Sequence, residues 1–177
     1  MAKMILKISL LILLSNIFAA GAKAQQANSS LRLRPKHKAI LENWLTQRKN
    51  LRVATEADCN CQDDLEQMRR GYGGKWKSIP NYQPYYAVGD FNGDGAEDFA
   101  AALINGTKQA RQFAIVIFNG PFKPSNHPAL FEEGMELRGK GFAFGAPRPK
   151  PYRLILGPFE SDNSLLFVPK DRTYIMN

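Results

Sequence analysis

Histidine and cysteine, which supply much of the acid–base, nucleophilic and metal chemistry of enzymes, are scarce in this sequence. Each occurs twice in 177 residues, as His37, His127, Cys59 and Cys61. The sequence also lacks the G-x-S-x-G nucleophile motif, the H-E-x-x-H zinc motif and the phosphate-binding loop. We expect both histidines to be surface residues, so nothing in these motifs supports an enzyme.

The two cysteines are separated by a single residue, which excludes the redox motif C-x-x-C. Export of the chain would permit a disulfide between them, but a bridge across one residue is strained. Two exposed thiols and a strained bridge both remain open. In either case we expect replacement of Cys59 and Cys61 by serine to change stability little, because the closed loop is very short.

An acidic, glycine-containing stretch at residues 90–98 is the most informative feature of the sequence. Its oxygen donors stand at loop positions one, three, five and nine, and Gly95 permits a sharp turn. Ca²⁺ prefers six to eight oxygen ligands in a flexible shell. The pattern predicts a calcium site whose ligands are Asp90, Asn92, Asp94, the Ala96 carbonyl and Asp98. The alternative is a connection whose Asp and Asn side chains cap their own backbone.

The flanks of this loop, Tyr85–Val88 and Phe99–Ile104, favour strands. Position twelve, where an EF-hand has a bidentate glutamate, is Ala101. With aspartate at position nine, the stretch resembles the calcium loop of FG-GAP and VCBS-type repeats. That resemblance implies a loop joining two antiparallel strands, with Ca²⁺ on the five residues named above. It covers a single copy, from about Tyr85 to Ile104, so a whole propeller is not implied.

Residues 1–24 are predicted to be a signal peptide. They contain Lys3 and Lys7, an apolar run from Ile8 to Phe18, and a small-x-small cleavage site before Gln25. The run is short for a transmembrane helix, although an uncleaved membrane anchor is the alternative. No cysteine follows the run, so a lipoprotein anchor is not indicated. We expect a secreted or periplasmic protein without stable membrane insertion after cleavage.

Removal of the signal peptide takes three lysines with it, so 21 basic residues face 16 acidic residues in the remaining 153 and the formal charge falls from +8 to +5. A mildly basic surface would favour acidic proteins or anionic envelope polysaccharide as partners; the alternative, which the composition favours, is that these charges are simply a solvated surface. An amphipathic basic helix is predicted around Ile40–Leu45, which could lie on a membrane or nucleic acid but more often packs on a sheet. With no nucleic-acid motif in the chain, we expect no nucleic-acid partner.

The predicted fold is α+β, in which two N-terminal helices pack on a mostly antiparallel β-sheet that carries the calcium-type loop between two strands. Residues 25–35 are expected to be a flexible segment and residues 36–177 a single domain. The apolar runs Phe99–Ile104 and Phe113–Phe118 should pair across a turn at Asn105, in a sheet covered on both faces. The aromatic stretch 72–86 is either a binding platform or part of the core.

Two functions follow from these patterns. The first is an exported, non-catalytic, calcium-stabilised binding domain. The alternative is a small cell-envelope hydrolase that uses loop carboxylates, for which Glu132 and Glu133 are glycosidase-type candidates. Adjacent acids cannot flank one bond, so a further acid would have to come from elsewhere. A hydrolase should show a nucleophile–base contact or paired acids in a pocket.

The signal-peptide prediction can be tested on the exported protein. Mass spectrometry should find Gln25, free or cyclised, at the N-terminus, because cleavage follows Ala24. Recovery of intact Met1 in a membrane fraction would contradict it.

Overall fold

The computed structural model of the chain describes residues 31–71, 78–123, 127–144, 154–159 and 163–177. The predicted signal peptide and most of the predicted flexible segment 25–35 lie outside these ranges. Among the described residues, no helix has both the length and the apolar character needed to cross a membrane.

Strands dominate the part of the chain that the structure describes. The helices are α1 (Pro35–Leu45), α2 (Glu56–Cys59) and α3 (Gln62–Arg70). The strands are β1 (Leu51–Val53), β2 (Tyr86–Gly89), β3 (Asp98–Asn105), β4 (Phe113–Phe118), β5 (Leu130–Met135), β6 (Lys140–Phe144), β7 (Leu154–Pro158), β8 (Leu165–Lys170) and β9 (Thr173–Met176).

The strands form two antiparallel sheets. In the first, β4 pairs with one edge of β3 and with β5, while β1 and β2 share the other edge of β3. The predicted pairing of the two apolar runs is confirmed, with Phe99 opposite Phe118 and Ile104 opposite Phe113. The second sheet has the order β6-β7-β8-β9.

The first sheet is covered on both faces, as its apolar runs predicted, since every residue of β3 and β4 is buried. Leu41 and Trp44 of α1 pack on one face, against alternate residues of β3 and β4 such as Phe99 and Phe118. The opposite face packs against α3 and the second sheet, through Leu65, Phe142, Leu156 and Phe167. Each of these side chains contributes about 1.5–3 kcal/mol by leaving water.

The predicted α+β fold, with two N-terminal helices on one mostly antiparallel sheet, is wrong. The described residues form a mostly β structure with two sheets, and the main helices α1 and α3 lie on opposite faces of the first. The error has a physical cause. A single short helix cannot cover an apolar face of a five-stranded sheet, so the C-terminal strands form a second sheet that buries what the helices leave exposed.

The aromatic residues before β2 belong mainly to the core. Tyr82 is 9% exposed and Tyr85 is fully buried. Their hydroxyl groups donate hydrogen bonds to the backbone oxygens of Phe142 and Leu137, at 2.9 and 2.8 Å. These two rings therefore lie in the core, bonded to β6 and to the connection before it, rather than forming a binding platform. Residues 72–77 of the same stretch lie outside the described ranges.

Cys59 and Cys61 form a disulfide between α2 and α3, with their Cα atoms 5.2 Å apart. The two side chains are 0% and 4% exposed and lie in the core between the sheets. The bridge is therefore present, and the alternative of two exposed thiols is wrong. Their burial also removes the basis for expecting serine replacement to be neutral.

Replacing both cysteines by serine should lower stability, because a buried hydroxyl without a good partner costs about 1–3 kcal/mol. The matched control is replacement of both by alanine, which removes the bridge but adds no polar group. In thermal melts the serine pair should unfold below the alanine pair. Equal melting of the serine variant and the wild type would contradict the buried placement.

Candidate functional site in the connection from β2 to β3

The acidic stretch forms the connection between β2 and β3, closed at its base by the pairing of Gly89 with Asp98. Gly93 and Gly95 have left-handed backbone conformations, with φ of 78° and 87°. A Cβ atom on Gly95 would meet no heavy atom within 4 Å, so the backbone conformation rather than space requires glycine there.

Asp90 begins the loop and holds the turn together. Its Oδ1 accepts hydrogen bonds from the N–H groups of Gly93 and Asp94, at 2.7 and 3.1 Å. Its Oδ2 accepts one from the Gly95 N–H at 2.9 Å. Three successive backbone donors thus point at one carboxylate, which fixes the loop's conformation.

The next two polar side chains also bind the loop's own backbone. Asn92 Oδ1 accepts the Asp94 N–H at 2.9 Å, and Asn92 Nδ2 donates to Asp94 Oδ2 at 3.0 Å. Asp94 Oδ1 accepts the Ala96 N–H at 2.8 Å. This is the self-capping arrangement that was the alternative to calcium binding. It does not exhaust the acceptors, since a carboxylate has about four lone-pair sites.

Asp98 differs from the other loop residues because it is fully buried. Its Oδ2 accepts the Phe91 N–H at 2.7 Å and its Oδ1 accepts the Gly120 N–H at 2.9 Å. Burial raises the pKa of Asp98 to about 6; the N–H groups oppose the rise, and the charge of Asp94 adds to it. Removal from water thus makes the ionised form of this carboxyl costly.

Tyr174 of β9 reaches this site from the second sheet, and the sequence analysis missed it. Its hydroxyl donates to Asn119 Oδ1 at 2.7 Å and lies within hydrogen-bonding reach of Asp98. Burial raises the pKa of Tyr174, and the nearby carboxylates raise it further. No local pattern marks a residue so distant in the chain as a neighbour of the loop.

Gly120 lies directly against the end of the loop. A Cβ atom there would come within 2.4 Å of the Glu97 carbonyl oxygen and 3.1 Å of the Ala96 Cβ. No side chain fits without displacing backbone. This close approach is what allows the Gly120 N–H to reach the Asp98 carboxyl.

The structure brings the predicted ligands together only in part. Asn92 and Asp94 are in contact, and the charges of Asp94 and Asp98 interact. Within the described ranges, no group of three or more His, Cys, Asp or Glu side chains is arranged to hold a metal ion. The donor types suit Ca²⁺, but the calcium site with Asp90, Asn92, Asp94, Ala96 and Asp98 stays a prediction.

Comparison with known proteins gave no match to a family model, to a curated protein or to a solved structure. What this chain can do must therefore follow from its own side chains.

Glu97, the neighbour of Asp98, faces the opposite way and binds α1. Its carboxylate pairs with the Arg34 guanidinium, and its Oε1 lies 3.2 Å from His37 Nε2. The other ring nitrogen of His37, Nδ1, is 2.6 Å from the Tyr86 hydroxyl. We call Arg34, His37, Tyr86 and Glu97 the α1 clamp.

The expectation that His37 is a surface residue is wrong, since it is 1% exposed. Its ring stacks on Phe99, with centroids 4.4 Å apart, and meets Phe122 edge-on. His127, by contrast, is exposed as expected. The order Tyr86–His37–Glu97 resembles a nucleophile, base and acid. The enclosure of His37 denies a substrate access to its nitrogen atoms, so the arrangement is structural.

Of the two carboxylates considered for a hydrolase, Glu133 is engaged in a structural pair, and so is a third acid, Asp58. Glu133 accepts a hydrogen bond from Asn105 Nδ2 at 3.0 Å and lies 3.7 Å from Lys108 Nζ. Asp58, in a polar cleft, is held by Arg52 through two bonds of 2.8 and 2.6 Å. Burial would raise the pKa of Asp58, but the bonds from Arg52 and Thr55 leave it lowered. A lowered pKa makes Asp58 a poor general acid.

An open groove of about 370 Å³ lies beside α1. Its floor is mainly apolar and two lysines flank it; its lining residues are Lys36, Ala39, Ile40, Asn43, Phe122 and Lys123. The Lys36 ammonium sits 5.2 Å from the centre of the Phe122 ring. An apolar floor between cations suits a ligand that presents both an acidic group and an apolar one.

Proposed function

We propose that this protein is an exported, non-catalytic binding domain whose fold is stabilised by Ca²⁺ in the 90–98 loop. The observation that carries the proposal is the loop's donor set. Three carboxylates and one amide oxygen belong to a single tight connection, and the last carboxylate, Asp98, is buried between structural layers. Hard oxygen donors held by a glycine turn are the ligands that Ca²⁺ prefers.

The residues fit such an ion in chemistry. Asp90, Asn92 and Asp94 would supply side-chain oxygens, Ala96 its carbonyl and Asp98 the closing carboxylate. When bound, Ca²⁺ would supply positive charge that offsets the repulsion between these carboxylates and the cost of ionising Asp98. Some of the backbone bonds now made by Asp90 and Asp94 would then be shared or exchanged.

The binding role is supported by the groove beside α1. The enclosed His37 and the paired acids Asp58 and Glu133 favour binding over hydrolysis. The lysines flanking the groove suit an acidic partner protein or an anionic envelope polysaccharide. The proposal also includes three further properties. The protein is exported, it has no nucleic-acid partner, and it is not stably inserted in the membrane after cleavage of the signal peptide.

Calcium should raise the melting temperature of the wild-type protein relative to chelator. Binding to the folded state alone adds RT ln(1 + [Ca²⁺]/Kd), about 2.7 kcal/mol at a hundredfold excess over Kd. Asp94→Ala should abolish the shift, since it removes a central ligand without touching the core. Magnesium, which demands a rigid octahedral shell, should give a smaller shift.

The matched control for this experiment is Glu97→Ala. It should lower stability in both buffers by releasing the α1 clamp, yet retain the calcium-dependent increment, because Glu97 faces α1 and not the loop interior. Identical melting of the wild type in calcium and in chelator would remove Ca²⁺ from the proposal.

Partner binding is tested by affinity capture from cell-envelope extract. Lys36→Glu should cost at least tenfold in the captured amount of the principal ligand, because it reverses a charge at the groove. Lys38→Glu is the control: Lys38 is exposed on α1 and lies 3.7 Å from Glu42, outside the groove lining. Equal losses in the two variants would show non-specific charge attraction and argue against the groove.

A further inference from the structure

His37 occupies the first position of the stripe by which α1 packs on the sheet. The buried residues of this helix are His37, Leu41 and Trp44, spaced four and three apart on one helical face. Leu41 and Trp44 are apolar and make contacts that do not depend on pH. His37 is the only titratable residue among them, so the attachment of the N-terminal turn of α1 depends on the state of its ring.

The contacts of His37 match the hydrogen bonds that its neutral ring can make. An ionised Glu97 can only accept, so Nε2 must carry the hydrogen that it donates to Oε1. Nδ1 is then free to accept the Tyr86 hydroxyl hydrogen across 2.6 Å. Protonation places a second hydrogen on Nδ1. The Tyr86 hydroxyl would have to turn to accept it, and its own hydrogen would lose the Nδ1 acceptor.

The charges around the ring also disfavour its protonation in the closed state. Arg34, just before α1, and Lys36 of α1 carry positive charge. Among the described residues, Glu97 of the loop is the acid that faces the ring, and Tyr86 comes from β2. Phe99 of β3 and Phe122 beyond β4 present uncharged rings. Burial lowers the pKa of His37 below its ordinary value of 6.5; Glu97 opposes this effect and Arg34 adds to it.

The chain before α1 is fastened at the same place. The side-chain amide of Gln83 accepts the Arg32 N–H at 2.6 Å and donates to the Arg32 carbonyl at 3.3 Å. If the contacts of the α1 clamp were lost, these two Gln83 hydrogen bonds would be the main polar attachment of residues 31–38 to the rest of the described structure. Both sets of contacts adjoin β2, since Tyr86 is its first residue and Gln83 precedes it by three positions.

We propose that the α1 clamp is a pH-sensitive latch: protonation of His37 frees the N-terminal part of α1 from the first sheet and exposes the apolar face around Phe99. Because the folded pKa lies below the ordinary value, the latch is fully stabilised above pH 6.5. It loses stability as the pH falls from 6.5 through the lower pKa of the closed form. One proton taken up on opening raises the opening constant by up to about tenfold per pH unit in that window.

Hydrogen exchange of the protein between pH 7.5 and 5.0, corrected for intrinsic rates and run in chelator, tests the latch independently of calcium. Amides of α1 should lose protection by up to tenfold per pH unit below 6.5, while those of β3 and β4 keep theirs. His37→Phe, whose ring can still stack on Phe99, should show no such loss. Constant protection of α1 in the wild type, or an equal loss in His37→Phe, would overturn the proposal.

A titration that needs no change at His37 provides the second test. With His127→Gln, His37 is the only histidine, so its NMR signal can be followed directly. Its midpoint should lie below 6.5 and coincide with the end of the protection loss in α1. Glu97→Gln removes the carboxylate that favours the charged ring. It should move both the NMR midpoint of His37 and the end of the protection loss in α1 to lower pH. A midpoint at or above 6.5, or an unmoved one in Glu97→Gln, would overturn the latch even if His37→Phe failed to fold.

Discussion

The buried carboxyl of Asp98 is the interaction on which the arrangement of this protein depends. It accepts the N–H groups of Phe91 from the loop and Gly120 from the chain after β4, and it lies beside the Tyr174 hydroxyl from the second sheet. A polar group without water must keep its partners, since each unmade bond costs about 1–3 kcal/mol. Three segments that are far apart in sequence are thereby held at one point. The close approach of Gly120, where no side chain fits, follows from the same requirement.

The two neighbouring acids at the end of the loop connect the loop to both sides of the first sheet. Successive side chains of an extended chain point in opposite directions, so Asp98 faces the second sheet while Glu97 reaches α1. Whatever changes the conformation of residues 90–98 acts on both layers at once. A cation bound by the loop oxygens would act on the second sheet through Asp98. A proton on His37 would act on the loop through Glu97. The proposed stabilisation by calcium and the proposed latch therefore share one short segment while using different side chains.

Several acid–base groups in the described structure are enclosed or paired with neighbouring side chains. The Tyr86–His37–Glu97 series has the order of a catalytic relay, yet a histidine that is 1% exposed offers its nitrogen atoms only to its own neighbours. Asp58 and Glu133 are held by basic or amide groups in a similar way. The groove beside α1, in contrast, is open and combines an apolar floor with two lysines. This groove is the surface on which the proposed binding function rests.

Local patterns in the sequence by themselves determined the hairpin of β3 and β4, the strands on either side of the acidic loop, the glycine turn at Gly95 and the cover on both faces of the first sheet. These features depend on residues within a few positions of one another, where backbone geometry and apolar periodicity act directly. Tertiary structure alone decided that the C-terminal strands form a second sheet, that the cysteines are buried, and that Tyr174 and His37 lie beside Asn119 and Tyr86. The last two contacts join residues 55 and 49 positions apart. Such contacts depend on which layers pack together to remove apolar surface from water. The local periodicity of apolar residues in the sequence does not determine that packing.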